Sequence, residues 1–295
     1  MMPIVDAHFH VWRQADLPWL NGPMQPRIFG PYTPIQRDYL MDEYHRDIDG
    51  TGVNQAVYVQ ANWPPAKAMD EVAWVSDLFD DTGWPQAIVG YADMTVDDAR
   101  PALDRLAAFP LVRGIRQQFH WHENALYRFA AHADLCRDAA VQRNIAQLSD
   151  YGWPFDLQVF TDQMDGACAL ADACPEVTFV LQHAGMLEDV STEGVAAWRS
   201  GMAALAERLN VMVKLSGFGT FLHRCDPDHI AWLTRETLAL FGTDRCLWGS
   251  NFPIEKLWTD YPSLLNAHRA GLDDCDATDE ASVFHNTACR VYRLN

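Results

Sequence analysis

Short apolar runs alternate with segments of helical periodicity along most of this chain. The first run, 5–12, has β-branched residues near both ends and is too short for a buried helix, so it predicts a strand. The next segment, 38–48, has apolar residues at helical spacing and ends at a pair of glycines, so it predicts a helix. The chain therefore begins with a strand followed by a helix.

The same alternation continues to the end of the chain. The predicted strands are 5–12, 55–60, 87–92, 111–117, 154–160, 177–185, 211–217 and 246–253. The predicted helices are 38–48, 69–79, 95–109 with Thr95 as its cap, several stretches within 123–150, 163–173, 195–209, 228–241, 261–270 and 278–293. Eight largely apolar strands, each followed by helix, predict a single-domain (β/α)8 TIM barrel over residues 1–295.

One long segment interrupts the alternation. Residues 13–34 are rich in proline, glycine and aromatic residues and have neither a helical nor a strand period, so they predict a long loop after the first strand. The aromatic residues favour packing over disorder. We expect this loop to form one wall of a pocket.

Composition narrows the classes of partner. The chain has 49% hydrophobic and 21% charged residues, which is typical of a folded protein with an ample core, and its net charge is −18. This charge argues against nucleic acid and anionic membranes as partners, but a few inward-pointing cations could still bind an anionic small substrate. The seven cysteines are scattered and the N-terminus has no secretory signal, so we expect reduced thiols, no transmembrane helix and a cytoplasmic location.

Two histidines mark the first strand. Side chains alternate along a strand, so His8 and His10 lie on one face of it. A single strand histidine is more often a structural hydrogen-bonding residue, whereas two on one face favour a site that binds a cation or stabilises an oxyanion.

Polar residues also end the other predicted strands. In a TIM barrel the catalytic groups sit at the carboxyl ends of the strands, so these residues become site candidates, although each alone could form a structural hydrogen bond. The candidates are His8, His10, Gln60, Asn62, Arg116, Gln118, Gln158, Gln182, His183, Lys214, Ser216, Ser250 and Asn251.

Four motifs together resemble the amidohydrolase superfamily. They are the His-x-His of the first strand and the segments 181–185, 249–253 and 284–292. Within the superfamily the chain is similar to the branch of sugar lactonases and 2-pyrone-4,6-dicarboxylate lactonase. The resemblance implies a hydrolase acting on a carboxylic ester, namely a small sugar-derived or carboxylated lactone, in carbohydrate metabolism.

The superfamily's metal ligands are only partly matched. They are a strand-one histidine pair, a lysine or glutamate on strand four, histidines on strands five and six, and an aspartate on strand eight. This chain has Arg116 on strand four, Gln158 on strand five and Asn251 on strand eight. The matching residues are His8, His10 and His183. Three neutral imidazoles without an anionic donor do not favour tight zinc binding, so no cofactor is expected to be required, and weak zinc binding by these histidines stays open.

The lactonase branch is similar in having lost metal dependence. The resemblance then implies that the three histidines polarise the lactone carbonyl. Asn251 cannot accept a proton near neutral pH, so another group must activate water. Glu255 is our preferred base by position, with His120 and His122 as alternatives, although a loop carboxylate in so acidic a chain is usually a solvated charge.

Substrate contacts are predicted at further strand ends. Arg116 and Lys214 could pair with a carboxylate, or instead form local salt bridges. The full predicted substrate-binding set is Trp63, Arg116, His120, Gln158 and Lys214. Aromatic stacking on a sugar ring and ordinary packing are both open for Trp63.

Three functional hypotheses follow. The first is a metal-independent hydrolase of small lactones. The second is a zinc-dependent decarboxylase or hydratase, which the same superfamily includes, and the third is a barrel that binds a sugar acid without turnover because Asn251 replaces the base. Each has a small molecule as its partner, and each is compatible with a homo-oligomer.

Overall fold

The computed structural model describes residues 2–294, and its eight strands form one sheet. They are β1 (Ile4–Phe9), β2 (Val53–Val59), β3 (Ala87–Gly90), β4 (Val112–Gln118), β5 (Phe155–Gln158), β6 (Phe179–Leu181), β7 (Val211–Leu215) and β8 (Cys246–Trp248). The strands lie in chain order and each successive pair is parallel.

The last strand returns to the first. A parallel bridge joins Phe9 to Phe252, just beyond β8. The Asn251 N–H donates to the His8 carbonyl at 2.7 Å, and the His10 N–H donates to the Phe252 carbonyl at 2.8 Å. These bonds close the sheet into a barrel and confirm the predicted (β/α)8 fold. They also place the segment after β8 beside His8 and His10.

Helices surround the barrel. They are α1 (Pro18–Asn21), α2 (Met41–Ile48), α3 (Ala68–Thr82), α4 (Arg100–Ala107), α5 (Ala139–Ala146), α6 (Met164–Ala173), α7 (Thr192–Ala206), α8 (Pro227–Phe241), α9 (Tyr261–Arg269), α10 (Ala277–Ala281) and α11 (Thr287–Tyr292). A π-helical turn, Ser282–Asn286, joins the last two into one C-terminal segment. Within residues 2–294, no helix has the length and apolar character needed to cross a bilayer.

Two helix predictions are wrong in detail. Thr95 does not cap α4, which starts at Arg100, because the Thr95 N–H and hydroxyl both bond the Asp93 carboxylate in a turn. Only Ala139–Ala146 forms an α-helix within 123–150, and short 3-10 turns occupy much of the rest. Local side-chain hydrogen bonds compete with helix formation in the first case.

Alternate strand residues face two different cores. Val57 and Val59 belong to a cluster with residues of β1, β3, β6 and β8, and Val291 and Tyr292 of α11 pack against it. Tyr58, between those two valines, packs in the larger core with the surrounding helices. Alternate residues therefore face the inside and the outside of the barrel, as expected of a strand that is covered on both faces.

Asp6 ties β1 to its surroundings. The register of β1 against β2 shifts between Asp6 and Phe9. The buried Asp6 carboxylate accepts five hydrogen bonds, from the His8 and Ser250 N–H groups and from the hydroxyls of Ser250, Tyr44 and Tyr261. Burial raises the pKa of Asp6, and these donors oppose the increase. Asp6 therefore fixes the strand segment that carries both histidines.

We expect Asp6→Ala to lower the free energy of unfolding by about 3–5 kcal/mol, since it leaves several buried donors without an acceptor. Urea denaturation measures this loss. Asp165→Ala is the control, because the Asp165 side chain is 91% exposed in its ion pair with Arg137 and its removal should change stability little. Equal effects of the two substitutions would contradict the role assigned to Asp6.

Candidate active site

A cavity of about 640 Å³, including its open mouth, lies at the carboxyl ends of the strands. The residues around it come from the ends of β1, β2 and β4 to β8 and from the 13–34 loop, which confirms the prediction that this loop forms a pocket wall. This segment contains the short helix α1, which the sequence did not predict, and contributes Trp19 of that helix together with Arg27, Ile28 and Phe29. The strand ends and their loops contribute His10, Trp12, Ala61, Asn62, Arg116, Gln118, Gln158, His183, Met186, Gly217, Thr220, Phe221, Asn251 and Ile254.

Three histidine rings meet beside this cavity. The His8 ring centroid lies 5.0 Å from that of His10 and 4.9 Å from that of His183. His8 is fully buried, and within residues 2–294 neither of its ring nitrogens has a hydrogen-bond partner. A buried polar group without a partner is costly, and His8 is not among the residues described as lining the cavity, whereas His10 and His183 are.

The other two rings are held in place by hydrogen bonds. His10 Nδ1 lies 2.6 Å from the Val59 carbonyl, which can only accept, so Nδ1 carries the proton and Nε2 of the neutral ring presents a lone pair. His183 Nδ1 lies 2.9 Å from the Ser216 hydroxyl, which fits either tautomer. In its neutral form His10 therefore presents an acceptor, and not a donor, at Nε2.

Burial keeps all three rings uncharged. It lowers the pKa of His10 to about 3, and the nearby Arg116 charge lowers it further, while the Val59 carbonyl and the Asn251 amide oppose the shift. Burial, with the charge of Lys214 next, holds the pKa of His8 well below its ordinary value. Burial and Arg116 do the same for His183. The cluster is thus neutral throughout the physiological range.

Three residues at strand ends have a backbone conformation that is unusual for a residue other than glycine. Asn62, His183 and Asn251 follow β2, β6 and β8 and have φ values of 62°, 54° and 56°. Non-glycine residues rarely adopt this left-handed region, and such strain persists only where the surrounding structure enforces it. All three line the cavity.

Glu255 lies behind Asn251 in the short helical turn Glu255–Leu257. Its side chain is fully buried, so the expectation of a solvated loop charge is wrong. Burial raises its pKa to about 8, and the Asn251 side chain and the Gly219 backbone partly oppose the shift, although within the described chain neither forms a hydrogen bond of standard geometry with it. Glu255 is therefore a buried carboxyl with a raised pKa, and it is not among the residues described as lining the cavity.

Two predicted substrate-binding residues reach the cavity directly. Arg116 is almost fully buried, donates to the Gln60 carbonyl at 2.7 Å and has an Nε without a partner among residues 2–294. Burial lowers its pKa to about 10, so it stays charged at neutral pH. Gln158 also lines the cavity, and its amide nitrogen contacts the Met186 sulfur at 3.0 Å.

The other three lie elsewhere. Lys214 is fully buried and donates to Asp156 at 2.8 Å, so it forms the local salt bridge that was its alternative reading and does not line the cavity. His120 packs between Phe129 and Phe160, with ring centroids 5.2 and 5.6 Å away. Trp63 lines a neighbouring cleft.

Sequence reasoning missed two residues that shape the site. Arg27, in the 13–34 loop, lines the cavity and lies over the Trp19 ring at 5.3 Å. Asp156, in β5, accepts hydrogen bonds from Lys214, Gln182 and Tyr292 inside the barrel. The signal for Asp156 was a carboxylate within an apolar strand, whereas nothing in the sequence distinguished Arg27 from other loop cations.

Gly217 borders the cluster so closely that a side chain there would displace His183. Its φ is +68°, and an added Cβ would lie 2.6 Å from His183 Nδ1. We expect Gly217→Ala to reduce kcat/KM by roughly tenfold or more, because small misplacements of a catalytic group are costly. Gly242→Ala is the matched control, since Gly242 has φ +73° but nothing within 4 Å of the added Cβ. Steady-state kinetics that show equal losses would contradict this account.

The donor set fits a metal ion poorly. Among the described residues, no group of three or more histidine, cysteine, aspartate or glutamate side chains is arranged to hold a metal. The Arg116 and Lys214 charges lie close enough to lower the pKa of His8, and the same field disfavours a divalent cation. His10 Nε2 with its backbone-bonded Nδ1–H resembles a metal-ligand histidine, which is compatible with weak zinc binding only.

The structure is thus an eight-stranded parallel barrel with a histidine cluster at the carboxyl ends of its strands. The family model for amidohydrolases matches residues 5–294. The chain belongs to the amidohydrolase family, in the lactonase-like branch.

Relatives of known sequence or structure cover nearly the whole chain. An uncharacterised protein of Sinorhizobium fredii is 31% identical over 99% of this chain and 98% of its own length. An L-fucono-1,5-lactonase of Burkholderia multivorans is 28% identical over 98% of this chain and 96% of its own. A crystal structure of a Burkholderia multivorans amidohydrolase with bound zinc has a TM-score of 0.83 at 26% identity, covering 99% of this chain and 100% of that one.

Proposed function

We propose that this protein hydrolyses a small lactone, sugar-derived or carboxylated, and that it does so without a required metal ion. The observation that carries this proposal is the His8 ring, buried between two other neutral imidazoles with both nitrogens unpartnered within residues 2–294. The similarity to an L-fucono-1,5-lactonase supports the class of substrate.

The carbonyl of the lactone binds at His183, which lines the cavity, and at His8, whose ring centroid lies 4.9 Å from that of His183. Each neutral ring donates one N–H, and these bonds strengthen as negative charge develops on the oxygen in the tetrahedral intermediate. The nearby Arg116 charge stabilises the same oxyanion. Removing a single donor of this kind costs about 10²–10³ in kcat.

Water binds on the side of His10 and Asn251. The His10 Nε2 lone pair accepts one water hydrogen, and the Asn251 amide orients the water toward the carbonyl. Glu255, behind Asn251, takes the proton through one bridging water as the C–O bond to the attacking water forms. It returns that proton to the ring oxygen when the ester bond breaks, which yields a hydroxy acid.

The charge of the cavity favours a substrate rich in anionic or hydroxyl groups. Arg27 and Arg116 both line it, and no aspartate or glutamate is among the residues described as lining it. The cavity lining is therefore cationic although the whole chain has a net charge of −18. Arginine binds carboxylates through a planar fork, and the same donors bind sugar hydroxyls.

A panel of sugar lactones and carboxylated lactones, monitored by proton release, tests the function. We expect at least one lactone to be hydrolysed far above the rate of His183→Ala, because that variant lacks one of the two carbonyl donors. If the wild-type protein hydrolyses every lactone no faster than the variant does, the result favours the hypothesis of a barrel that binds a sugar acid without turnover. Decarboxylation instead, together with near-stoichiometric zinc, would favour the zinc-dependent alternative.

A further inference from the structure

A second cleft adjoins the cavity. It has a volume of about 840 Å³ including its mouth, and we call it the annex. Trp19, Arg27, Asn62 and Gln118 line both the annex and the cavity, so the two spaces share one wall of side chains. A ligand held at the histidine cluster can therefore extend past these residues.

The annex combines aromatic surfaces with amides. Trp63, Tyr91 and Phe129 line it, and the Phe129 side chain is 46% exposed. Four amide side chains also line it, namely Gln25, Gln60, Asn62 and Gln118. Aromatic faces that pack on the C–H groups of a ring, with amides for its hydroxyls, suit a sugar.

Two of its polar groups are buried without protein partners. Trp63 is 7% exposed, and its indole N–H has no acceptor within residues 2–294. The Gln118 side-chain oxygen also lacks a donor in that range. Both residues line the annex, and Gln118 also lines the cavity. A ligand that reaches these two groups would satisfy both.

We infer that the annex is a second sugar-binding subsite, and that the substrate is a glycosylated sugar lactone. This inference rests on the proposed function. The lactone ring occupies the cavity, the glycosyl ring packs on Trp63 in the annex, and the linkage passes the shared residues Arg27 and Gln118. A single lactone ring would leave the annex empty.

Calorimetric titration of sugar acids tests this without any turnover. Gluconate is compared with maltobionate, cellobionate and lactobionate, which carry the same acid with a second sugar ring. We expect at least one disaccharide acid to bind roughly tenfold more tightly than gluconate, equivalent to about 1.4 kcal/mol. Trp63→Ala should abolish this ratio, and Trp63→Phe, which keeps a ring but loses the N–H, should retain part of it.

Trp232→Ala is the control, since Trp232 packs against Trp198 on the helical surface and should leave the ratio unchanged. If no disaccharide acid binds more tightly than gluconate, or if the ratio survives Trp63→Ala, the subsite is wrong. If the ratio is as expected but no lactone is hydrolysed, the proposed function fails and the annex remains a sugar subsite.

Discussion

Replacing His8 by asparagine is expected to lower kcat by about 10²–10³ while reducing the free energy of unfolding by less than about 2 kcal/mol. The two effects separate because the His8 nitrogens make no hydrogen bond to the described protein, so asparagine removes no native partner. It does remove one of the two N–H groups assigned to the carbonyl oxygen. Steady-state kinetics and urea denaturation measure the two quantities.

His268→Asn is the matched control. His268 is equally buried, and burial lowers its pKa to about 3, but it lies in α9 beside Thr234, away from the cavity. We expect this variant to keep kcat near the wild-type value. A comparable loss of kcat in both variants would mean that any buried histidine supports the fold equally and that His8 has no special role.

Replacing Glu255 by glutamine is expected to lower kcat by about 10²–10⁴ and to remove a pH dependence. In the wild-type protein, burial raises the pKa of Glu255 to about 8 from an ordinary value of 4.5. A base acts only when deprotonated, so kcat should rise with pH up to about 8 and then level off. Glutamine cannot titrate, so the profile of the variant should be flat over this range.

The same pKa shift predicts an effect on stability with a definite sign. Because the folded state holds the Glu255 proton more tightly than the unfolded state, the wild type loses stability as pH rises from 4.5 through about 8. Glu255→Gln should therefore have a higher Tm than the wild type at pH 9 but not at pH 4.

An unchanged kcat in the Glu255→Gln variant would contradict the role of Glu255 as a base. It would show that Glu255 only positions Asn251 as a protonated acid.

The barrel was predictable because its signal is distributed over the whole chain. Val57 and Val59 alternate with Tyr58 as a strand covered on both faces requires, and the same pattern recurs in other strands. Boundaries were harder, since β6 ends at Leu181 where the backbone turns left-handed at His183. Strain of that kind leaves no mark in a hydrophobic pattern.

The grouping of the candidate residues was predictable where they lie at strand ends. His8, His10, His183 and Asn251 converge as the barrel rule requires. The burial of Glu255 was not predictable, because it depends on the close approach of Gly219 from a separate loop, where an added Cβ would lie 2.6 Å from the carboxylate. The position of Arg27 at the cavity was not predictable for the same reason, since only the folded loop brings its side chain there.

Chelation of the active enzyme tests the central claim most directly. Initial rates of lactone hydrolysis are measured by proton release before and after exhaustive dialysis against a strong chelator, and again after zinc is added back. Hydrolysis on the histidine cluster alone predicts the same rate in all three samples. Loss of turnover on chelation that zinc restores would contradict it and would assign His8, His10 and His183 to a metal.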